Sequence, residues 1–145
     1  MIVRAWQQED IPEIVKMEAR CFSDPWTEEM LSSVLIYPLY SSFLVEDRGQ
    51  VCGYACLIEI PNAEVTVANI AVDAPFRGKR IGKMLMDAMH ERARAIKAEE
   101  SFLEVRVGNE AAIALYKKYG YEIFGVRAKY YEDGEDAYVM KKSLL

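Results

Sequence analysis

The chain has 145 residues and a mass of 16.6 kDa, the length of one domain that can bury a full hydrophobic core. Its formal net charge of -5 and isoelectric point near 5.0 argue against direct nucleic-acid binding and favour a cationic or amine-bearing substrate. The amino terminus, MIVRAWQQED, is charged, and no apolar run approaches bilayer length. We therefore expect a cytoplasmic protein that does not bind a membrane.

The first third of the chain predicts two helices. Asp10 and Glu13 have the spacing of a capping box, which places the start of the first helix at Asp10. The segment DPWTEEMLSSVL predicts a second helix, with Thr27 as its N-cap. The apolar stripes are Ile11, Ile14 and Val15 in the first helix and Met30, Leu31, Val34 and Leu35 in the second.

Strands and helices follow in the rest of the chain. SSFLVEDRGQVCGYACLIEI predicts a β-hairpin with its turn at residues 47–50. Next come a strand (EVTVANIAVD), a helix (IGKMLMDAMHERARAI) and a second strand (SFLEVRV). Asn109 can cap the helix EAAIALYKKY, and Gly120 can end it. YEIFGVRAKYYEDGEDAYVMKK predicts a closing hairpin that turns at Asp133 and Gly134.

This order of elements predicts a single α/β domain, residues 1–145, in which helices cover a mixed sheet. The strand–helix–strand unit in the middle should be a right-handed crossover between parallel strands. The segment FRGKRIGKML then lies at the carboxyl end of a central strand, where sheets of this kind bind ligands.

The cysteines bear on a disulfide or a metal site. Cys52 and Cys56 lie on one predicted strand, where four residues at ~3.3 Å each place them roughly 13 Å apart, too far to form a disulfide. The only histidine, His90, lies in a predicted helix without a plausible set of zinc ligands around it. We therefore expect Cys21, Cys52 and Cys56 to be buried and reduced, and we expect no metal site.

Two glycines and four cations crowd the start of the helix after the central strand. Arg77, Lys79, Arg80 and Lys83 supply positive charge, and Gly78 and Gly82 let a ligand approach the backbone. A helix start offers N–H groups without intrahelical partners, so the segment suits phosphates. A solvated basic loop explains these residues equally well. The segment is neither a P-loop nor a G-x-G-x-x-G fingerprint.

Three further features have both a functional and a structural interpretation. Glu104 projects from the strand face opposite Leu103 and Val105, as a catalytic carboxylate or as an exposed residue paired with Arg106. Tyr116 is either a proton donor or an aromatic residue at the edge of the core. The acidic residues between 132 and 136 lack the spacing of calcium ligands and predict an acidic hairpin turn.

Longer segments resemble a known family. From VANIAVDAPFRGKRIGKML through FLEVRVGNEAAIALYKKYGY the chain resembles the GNAT superfamily of acyltransferases, whose signature is Q/R-x-x-G-x-G/A after a splayed strand. Within it, DPWTEE, LEVRVGNEAAIALY and KYYEDGEDAYVM are similar to RimI-type ribosomal-protein alanine N-acetyltransferases. Arg80 stands where the signature has its first glycine. Either the local φ suits a non-glycine residue and the guanidinium adds a phosphate contact, or the loop is displaced.

The resemblance implies a GNAT fold, which is a mostly antiparallel mixed sheet with a central splayed parallel strand pair, flanked by helices. It implies acetyl-CoA as co-substrate and direct transfer to an amine, with Glu104 as base and Tyr116 as acid. The implied cofactor contacts are Ile70, Ala71, Val72, Arg77, Gly78, Lys79, Arg80, Ile81, Gly82, Lys83 and Asn109.

The implied acceptor is the N-terminal α-amine of a protein, above all the alanine of a small-subunit ribosomal protein. Trp26, Tyr130 and Tyr131 match the peptide-handling segments of the RimI type. The acidic turn could attract basic residues of the peptide, although a solvated hairpin tip is the default interpretation. Two alternatives stay open: a GNAT enzyme for lysine side chains or small amines, and a non-catalytic acyl-CoA-binding module. The sequence does not decide the oligomeric state.

Overall fold

A computed structural model describes residues 1–145 as seven strands and four α-helices. The strands are β1 (Ile2–Arg4), β2 (Tyr40–Asp47), β3 (Gln50–Ile60), β4 (Glu64–Val72), β5 (Glu100–Arg106), β6 (Glu122–Arg127) and β7 (Ala137–Ser143). The helices are α1 (Ile11–Cys21), α2 (Glu28–Ile36), α3 (Ile81–Ala95) and α4 (Glu110–Lys118). None of these helices combines the length and the apolar character needed to cross a bilayer.

The strands form one sheet in the order β1-β2-β3-β4-β5-β7-β6. Every neighbouring pair is antiparallel except β4 and β5, which are parallel. The β4–β5 pairing ends at Val67 and Leu103, and beyond these residues the two strands no longer pair. The prediction of a mixed, mostly antiparallel sheet with a central splayed parallel pair is therefore confirmed.

A β-bulge lies on β4 where the two strands separate. Cys56 of β3 pairs with Asn69, whereas the next residue, Leu57, pairs with Val67, so Ala68 has no partner on β3. A bulge of this kind bends its strand and changes the direction of the backbone. The bend therefore coincides with the opening between β4 and β5.

The helices cover the two faces of the sheet with separate apolar clusters. On one face, α3 and α4 bury residues such as Leu85 and Tyr116 against Leu103 and Val105 of β5. On the other face, α1 and α2 pack over β2, β3 and β4. Because side chains alternate along a strand, Glu104 lies on the α1–α2 face, opposite to Leu103 and Val105.

Two of the three predicted helix caps are confirmed. The Thr27 hydroxyl accepts the Met30 N–H at 3.1 Å, and the Asn109 side-chain carbonyl oxygen accepts the Ala112 N–H at 3.2 Å. Asp10 does occupy the N-cap position of α1, but its side chain makes no capping hydrogen bond, so the predicted capping box with Glu13 is wrong. The Asp10 carboxylate instead accepts the Arg4 guanidinium at 2.7 and 2.8 Å and a backbone N–H from the turn before the helix.

Both predicted hairpins form. Between β2 and β3, Arg48 and Gly49 adopt the left-handed region at φ 52° and 79°, as a tight hairpin turn requires. The β6–β7 connection spans residues 128–136 and is longer than the predicted turn, because β6 already ends at Arg127. Gly134, at φ 87°, still forms a turn within it by donating its N–H to the Tyr131 carbonyl.

The cysteines are free, but they are not equally buried. Cys52 and Cys56 are buried as predicted, whereas Cys21 is half-buried, contrary to the prediction. Cys21 follows the last buried turn of α1 and contacts the Val72 carbonyl through its Sγ at 3.8 Å. Burial raises the pKa of all three thiols, so each stays protonated near neutral pH.

We expect Gly53→Ala to lower the free energy of unfolding by about 1–3 kcal/mol, because overpacking a rigid core has this cost. A Cβ at this buried position of β3 would lie 2.8 Å from both the Ala71 carbonyl oxygen and the Ile81 Cγ2. Gly125→Ala on β6 is the matched control, because its Cβ would meet no atom within 4 Å. Urea unfolding of both variants measures the difference, and equal midpoints would contradict the packing.

Candidate active site

The basic segment between β4 and α3 begins with a short 3₁₀ turn, Ala74–Phe76. Gly78 then adopts φ 79°, and a Cβ placed there would meet nothing within 4 Å, so the space beside it is open. Arg80 precedes α3 in the left-handed conformation, with φ 66° and ψ 19°. A non-glycine residue therefore does fit the position of the first signature glycine.

The start of α3 carries backbone N–H groups without acceptors and several exposed cationic side chains. The N–H groups of residues 80–83 have no acceptor within the chain. Lys83 forms an exposed ion pair with Asp87 at 2.7 Å, and Arg77 donates to the Val72 carbonyl at 3.3 Å. The exposed Arg80 guanidinium has no ion pair. Free N–H groups, the helix dipole and these cations together favour an anion such as phosphate.

One edge of β4 is open beyond its pairing with β5. Ile70, Ala71 and Val72 pair with β3 on one side, and they have no strand partner on the other. An extended ligand can therefore lie along this edge, between β4 and β5, and reach the start of α3.

Glu104 stands on β5 beside the same gap. Its side chain is 25% exposed, and its Oε2 is buried without a hydrogen-bond partner. Its nearest cation is Arg127, with Nη1 3.9 Å from the Glu104 Oε1. Buried carboxylate oxygens are nearly always hydrogen-bonded in folded proteins, so this oxygen is available to a ligand. The interpretation of Glu104 as a partner of Arg106 is wrong.

Arg106 instead joins two loops above the gap. Its guanidinium pairs with Asp24 in the α1–α2 loop at 2.9 Å and with Asp133 and Glu135 in the β6–β7 loop at 2.9 and 3.0 Å. It also lies 3.9 Å from the centre of the Tyr131 ring. Burial lowers the Arg106 pKa, but the three carboxylates raise it by more, so the group stays charged.

This arrangement engages most of the acidic turn in contacts within the chain. Asp133 and Glu135 bind Arg106, and Asp136 accepts the Lys129 N–H at 2.8 Å. Only Glu132 is left exposed without a partner. Because one guanidinium offsets only one of the three carboxylates that it binds, the turn stays net negative, and its attraction for basic peptide residues stays a prediction.

Two tyrosines, Tyr130 and Tyr131, lie close to Glu104, whereas Tyr116 belongs to the apolar cluster on the opposite face of the sheet. Tyr116 is 7% exposed, and burial, with a contribution from Tyr121 and Tyr131, raises its pKa to about 12. Burial and the Glu104 carboxylate raise the pKa of Tyr130, and burial is also the main cause that raises the pKa of Tyr131 to about 12. The Tyr130 and Tyr131 rings meet edge to face at 5.1 Å. All three hydroxyls therefore keep their protons at neutral pH.

Two other predicted site residues, Asn109 and Trp26, lie at the start of α4 and in the α1–α2 loop. Asn109 is exposed at the start of α4, where its side-chain oxygen is used as the helix cap. Trp26 lies in the α1–α2 loop, packs against the α1–α2 cluster and donates its backbone N–H to Glu18 at 2.8 Å. Sequence reasoning missed Glu18. Its position seven residues after Ile11, on the buried stripe of α1, was the available signal.

Comparisons with known proteins identify the family of this chain. Residues 11–121 match the family described as "Acetyltransferase (GNAT) family". A Bacillus subtilis (strain 168) protein, provisionally named [ribosomal protein bS18]-alanine N-acetyltransferase, is 38% identical over 95% of this chain and 92% of its own. The Escherichia coli (strain K12) protein named [ribosomal protein bS18]-alanine N-acetyltransferase is 31% identical over 90% of this chain and 89% of its own.

Solved structures give the same result. The crystal structure of the ribosomal-protein-S18-alanine N-acetyltransferase from Escherichia coli matches with a TM-score of 0.90 and 29% identity, over 99% of this chain and 93% of that one. An aminoglycoside 6'-N-acetyltransferase complexed with coenzyme A matches with a TM-score of 0.86 over 100% of this chain and 98% of that one, but at 13% identity it shares the fold alone. The chain belongs to the GNAT family of acetyltransferases.

Proposed function

We propose that residues 1–145 form a single catalytic domain that transfers the acetyl group of acetyl-CoA to the N-terminal α-amine of a protein. The proposed acceptor is the N-terminal alanine of a small-subunit ribosomal protein, which would place the reaction in the cytoplasm. The relatives named for this activity align with nine-tenths or more of the chain. The observation that carries the proposal is the unpartnered Glu104 Oε2 beside the gap between β4 and β5.

The cofactor would lie across the open edge of β4 and the start of α3. Its pyrophosphate would accept the free N–H groups of residues 80–83, with Arg77, Gly78, Lys79 and Lys83 around it. Its pantetheine arm would follow the backbone of residues 70–72, with Asn109 near the arm. The left-handed backbone of Arg80 shows that a side chain is accommodated at this position, and its exposed guanidinium, which has no ion pair, would contact a phosphate.

We expect Arg80→Asn to weaken acetyl-CoA binding about fivefold, because an exposed charge contact contributes up to ~1 kcal/mol. Asparagine tolerates the left-handed conformation of Arg80, so the change removes the guanidinium without straining the backbone. Lys97→Asn is the matched control, because Lys97 is also left-handed, at φ 60°, but lies beyond the other end of α3. Calorimetry gives both affinities. A sharp rise in affinity on Arg80→Gly would show that Arg80 obstructs the cofactor.

The chemistry requires a base and an acid. An α-ammonium has a pKa near 8 and attacks the thioester only after losing a proton, which Glu104 would accept directly or through a water molecule. Attack of the nitrogen on the acetyl carbon would give a tetrahedral oxyanion. When it collapses, the C–S bond breaks, Tyr116 would give its proton to the departing thiolate, and the second proton lost by the nitrogen would return to the Tyr116 oxygen. A β4 backbone N–H near Val72 would stabilise the oxyanion. The cysteines have no role in this direct transfer.

The acceptor peptide would enter between the α1–α2 and β6–β7 loops, which Arg106 ties together. Trp26 in the first loop and Tyr130 and Tyr131 in the second would form the walls, and a narrow entrance would favour a small first side chain such as alanine. The net charge of -5 suits a cationic acceptor.

A competition among amines tests the proposed function. One reaction contains a peptide with a free N-terminal alanine, the same peptide with a blocked α-amine and a free lysine, and a set of small polyamines. Mass spectrometry should show preferential acetylation of the free N-terminal alanine. Preference for the lysine peptide or the polyamines would replace the α-amine assignment by the corresponding GNAT activity. Acetyl-CoA binding without transfer to any amine would indicate a non-catalytic module.

A further inference from the structure

Glu18 is a buried carboxylate that the proposed chemistry does not use. It is 1% exposed, and no lysine or arginine pairs with it. Its Oε2 accepts the Trp26 N–H at 2.8 Å, and its Oε1 accepts the Tyr54 hydroxyl at 2.7 Å and the Asn69 Nδ2 at 2.6 Å. Burial of an unpaired carboxylate is expensive, so three converging donors indicate a specific role.

The contact with Glu18 fixes the orientation of the Asn69 amide. An ionised carboxylate only accepts hydrogen bonds, so it selects the NH₂ end of the amide and turns the carbonyl end away. The Asn69 Oδ1 consequently points away from Glu18, and no donor of the chain binds it. A neutral side chain at position 18 that can both donate and accept, such as glutamine, would not determine which end of the Asn69 amide faces it.

The sheet register places Asn69 beside the gap. Asn69 pairs with Cys56, which belongs to the cluster on the α1–α2 face, so both side chains lie on the face that carries Glu104. The last β4–β5 pair is Val67 and Leu103. Asn69 and Glu104 therefore follow the last pair closely on opposite sides of the opening, on the same face.

We propose that the Asn69 Oδ1 accepts a hydrogen bond from the acceptor amine and that Glu18 is the positioning residue that aims it. This inference rests on the proposed acetyl transfer. A neutral amine has two N–H groups and one lone pair. If Asn69 and Glu104, or its water, accept the two N–H groups, the lone pair is directed at a carbonyl carbon between the strands.

Glu18→Gln tests the orientation. The introduced glutamine must turn its side-chain oxygen toward the Trp26 N–H to keep that hydrogen bond. Its NH₂ group then points toward the Tyr54 hydroxyl and the Asn69 amide. The Tyr54 hydroxyl can accept a hydrogen bond from this NH₂ group. The Asn69 amide must rotate by about half a turn to do the same with its Oδ1, so its own NH₂ group then faces the acceptor amine. We expect kcat/KM for the amine to fall about tenfold, since an amine N–H would then face a donor instead of an acceptor, with unchanged acetyl-CoA affinity.

The double variant Glu18→Gln/Asn69→Asp should restore activity. The introduced aspartate would accept the NH₂ group of the introduced glutamine with one oxygen and present its other oxygen to the amine. The value of kcat/KM should therefore return to within about threefold of wild type. Tyr54→Phe is the control, because it removes another hydrogen bond to the same Glu18 oxygen without turning Asn69. It should lower the melting temperature but leave the KM for the amine unchanged.

The outcomes distinguish a Glu18 that orients the Asn69 amide from a Glu18 that only stabilises the fold. Parallel losses in Glu18→Gln and Tyr54→Phe, or no recovery in the double variant, would overturn the proposal. The assay uses whichever amine the wild type acetylates, so failure of the α-amine assignment leaves this test intact. Independently of turnover, NMR should show the Asn69 side-chain NH₂ signals shifted between wild type and Glu18→Gln. Identical signals would also overturn the proposal.

Discussion

Glu104→Gln is expected to lower kcat by about 10²–10⁴-fold, the usual contribution of a general base. Glutamine keeps the shape of the side chain but cannot accept a proton at neutral pH. Because the start of α3 is not altered, the affinity for acetyl-CoA should be nearly unchanged. Single-turnover kinetics with a peptide acceptor, beside calorimetry with acetyl-CoA, would separate the two effects.

Glu100→Gln is the matched control for this experiment. Glu100 lies on the same strand, but it is part of an exposed pair with Lys141 at 3.5 Å. Its replacement should leave turnover unchanged. A loss below about threefold in Glu104→Gln, with chemistry shown to be rate-limiting, would make Glu104 a structural residue.

Tyr116→Phe is expected to lower kcat by a similar factor, about 10²–10⁴-fold, because it removes the proposed proton donor and keeps the ring. Burial raises the Tyr116 pKa to about 12, so the donor stays protonated while the α-amine loses its proton near pH 8. The wild-type rate should therefore rise through pH 8 and stay high to about pH 10.

Tyr121→Phe is the control for the Tyr116 substitution. The Tyr121 hydroxyl is buried against the Ser101 hydroxyl at 2.6 Å, so its loss should reduce stability without reducing turnover. Equal rates for Tyr116→Phe and wild type across the pH range would show that the thiolate takes its proton from another source.

Features set by neighbouring residues can be predicted from the sequence. The Thr27 and Asn109 caps depend on contacts three residues away, and the hairpin at residues 47–50 depends on its own turn residues. Strand β1 escapes prediction because three residues, two of them exposed, give no alternating pattern. The Asp10 cap fails because Arg4, whose contact depends on the folded sheet edge, binds its carboxylate.

The candidate site also combines features that the sequence predicts with features that only the folded chain shows. The basic helix start after β4 is visible as a run of residues, and the alternation of β5 correctly assigns the face of Glu104. The carboxylate partners of Arg106 lie 27 to 82 residues away, so only the folded chain shows that Arg106 joins two loops. For this reason the sequence shows the charges of the acidic turn but not the contacts that hold two of them.

A single peptide with a free N-terminal alanine and an internal lysine tests the central claim most directly. The peptide is incubated with acetyl-CoA and the wild-type protein, and tandem mass spectrometry locates the added acetyl group. We expect the group on the α-amine, and we expect Glu104→Gln to abolish most of the signal. An acetyl group found on the lysine, or equal modification by both proteins, would contradict the account.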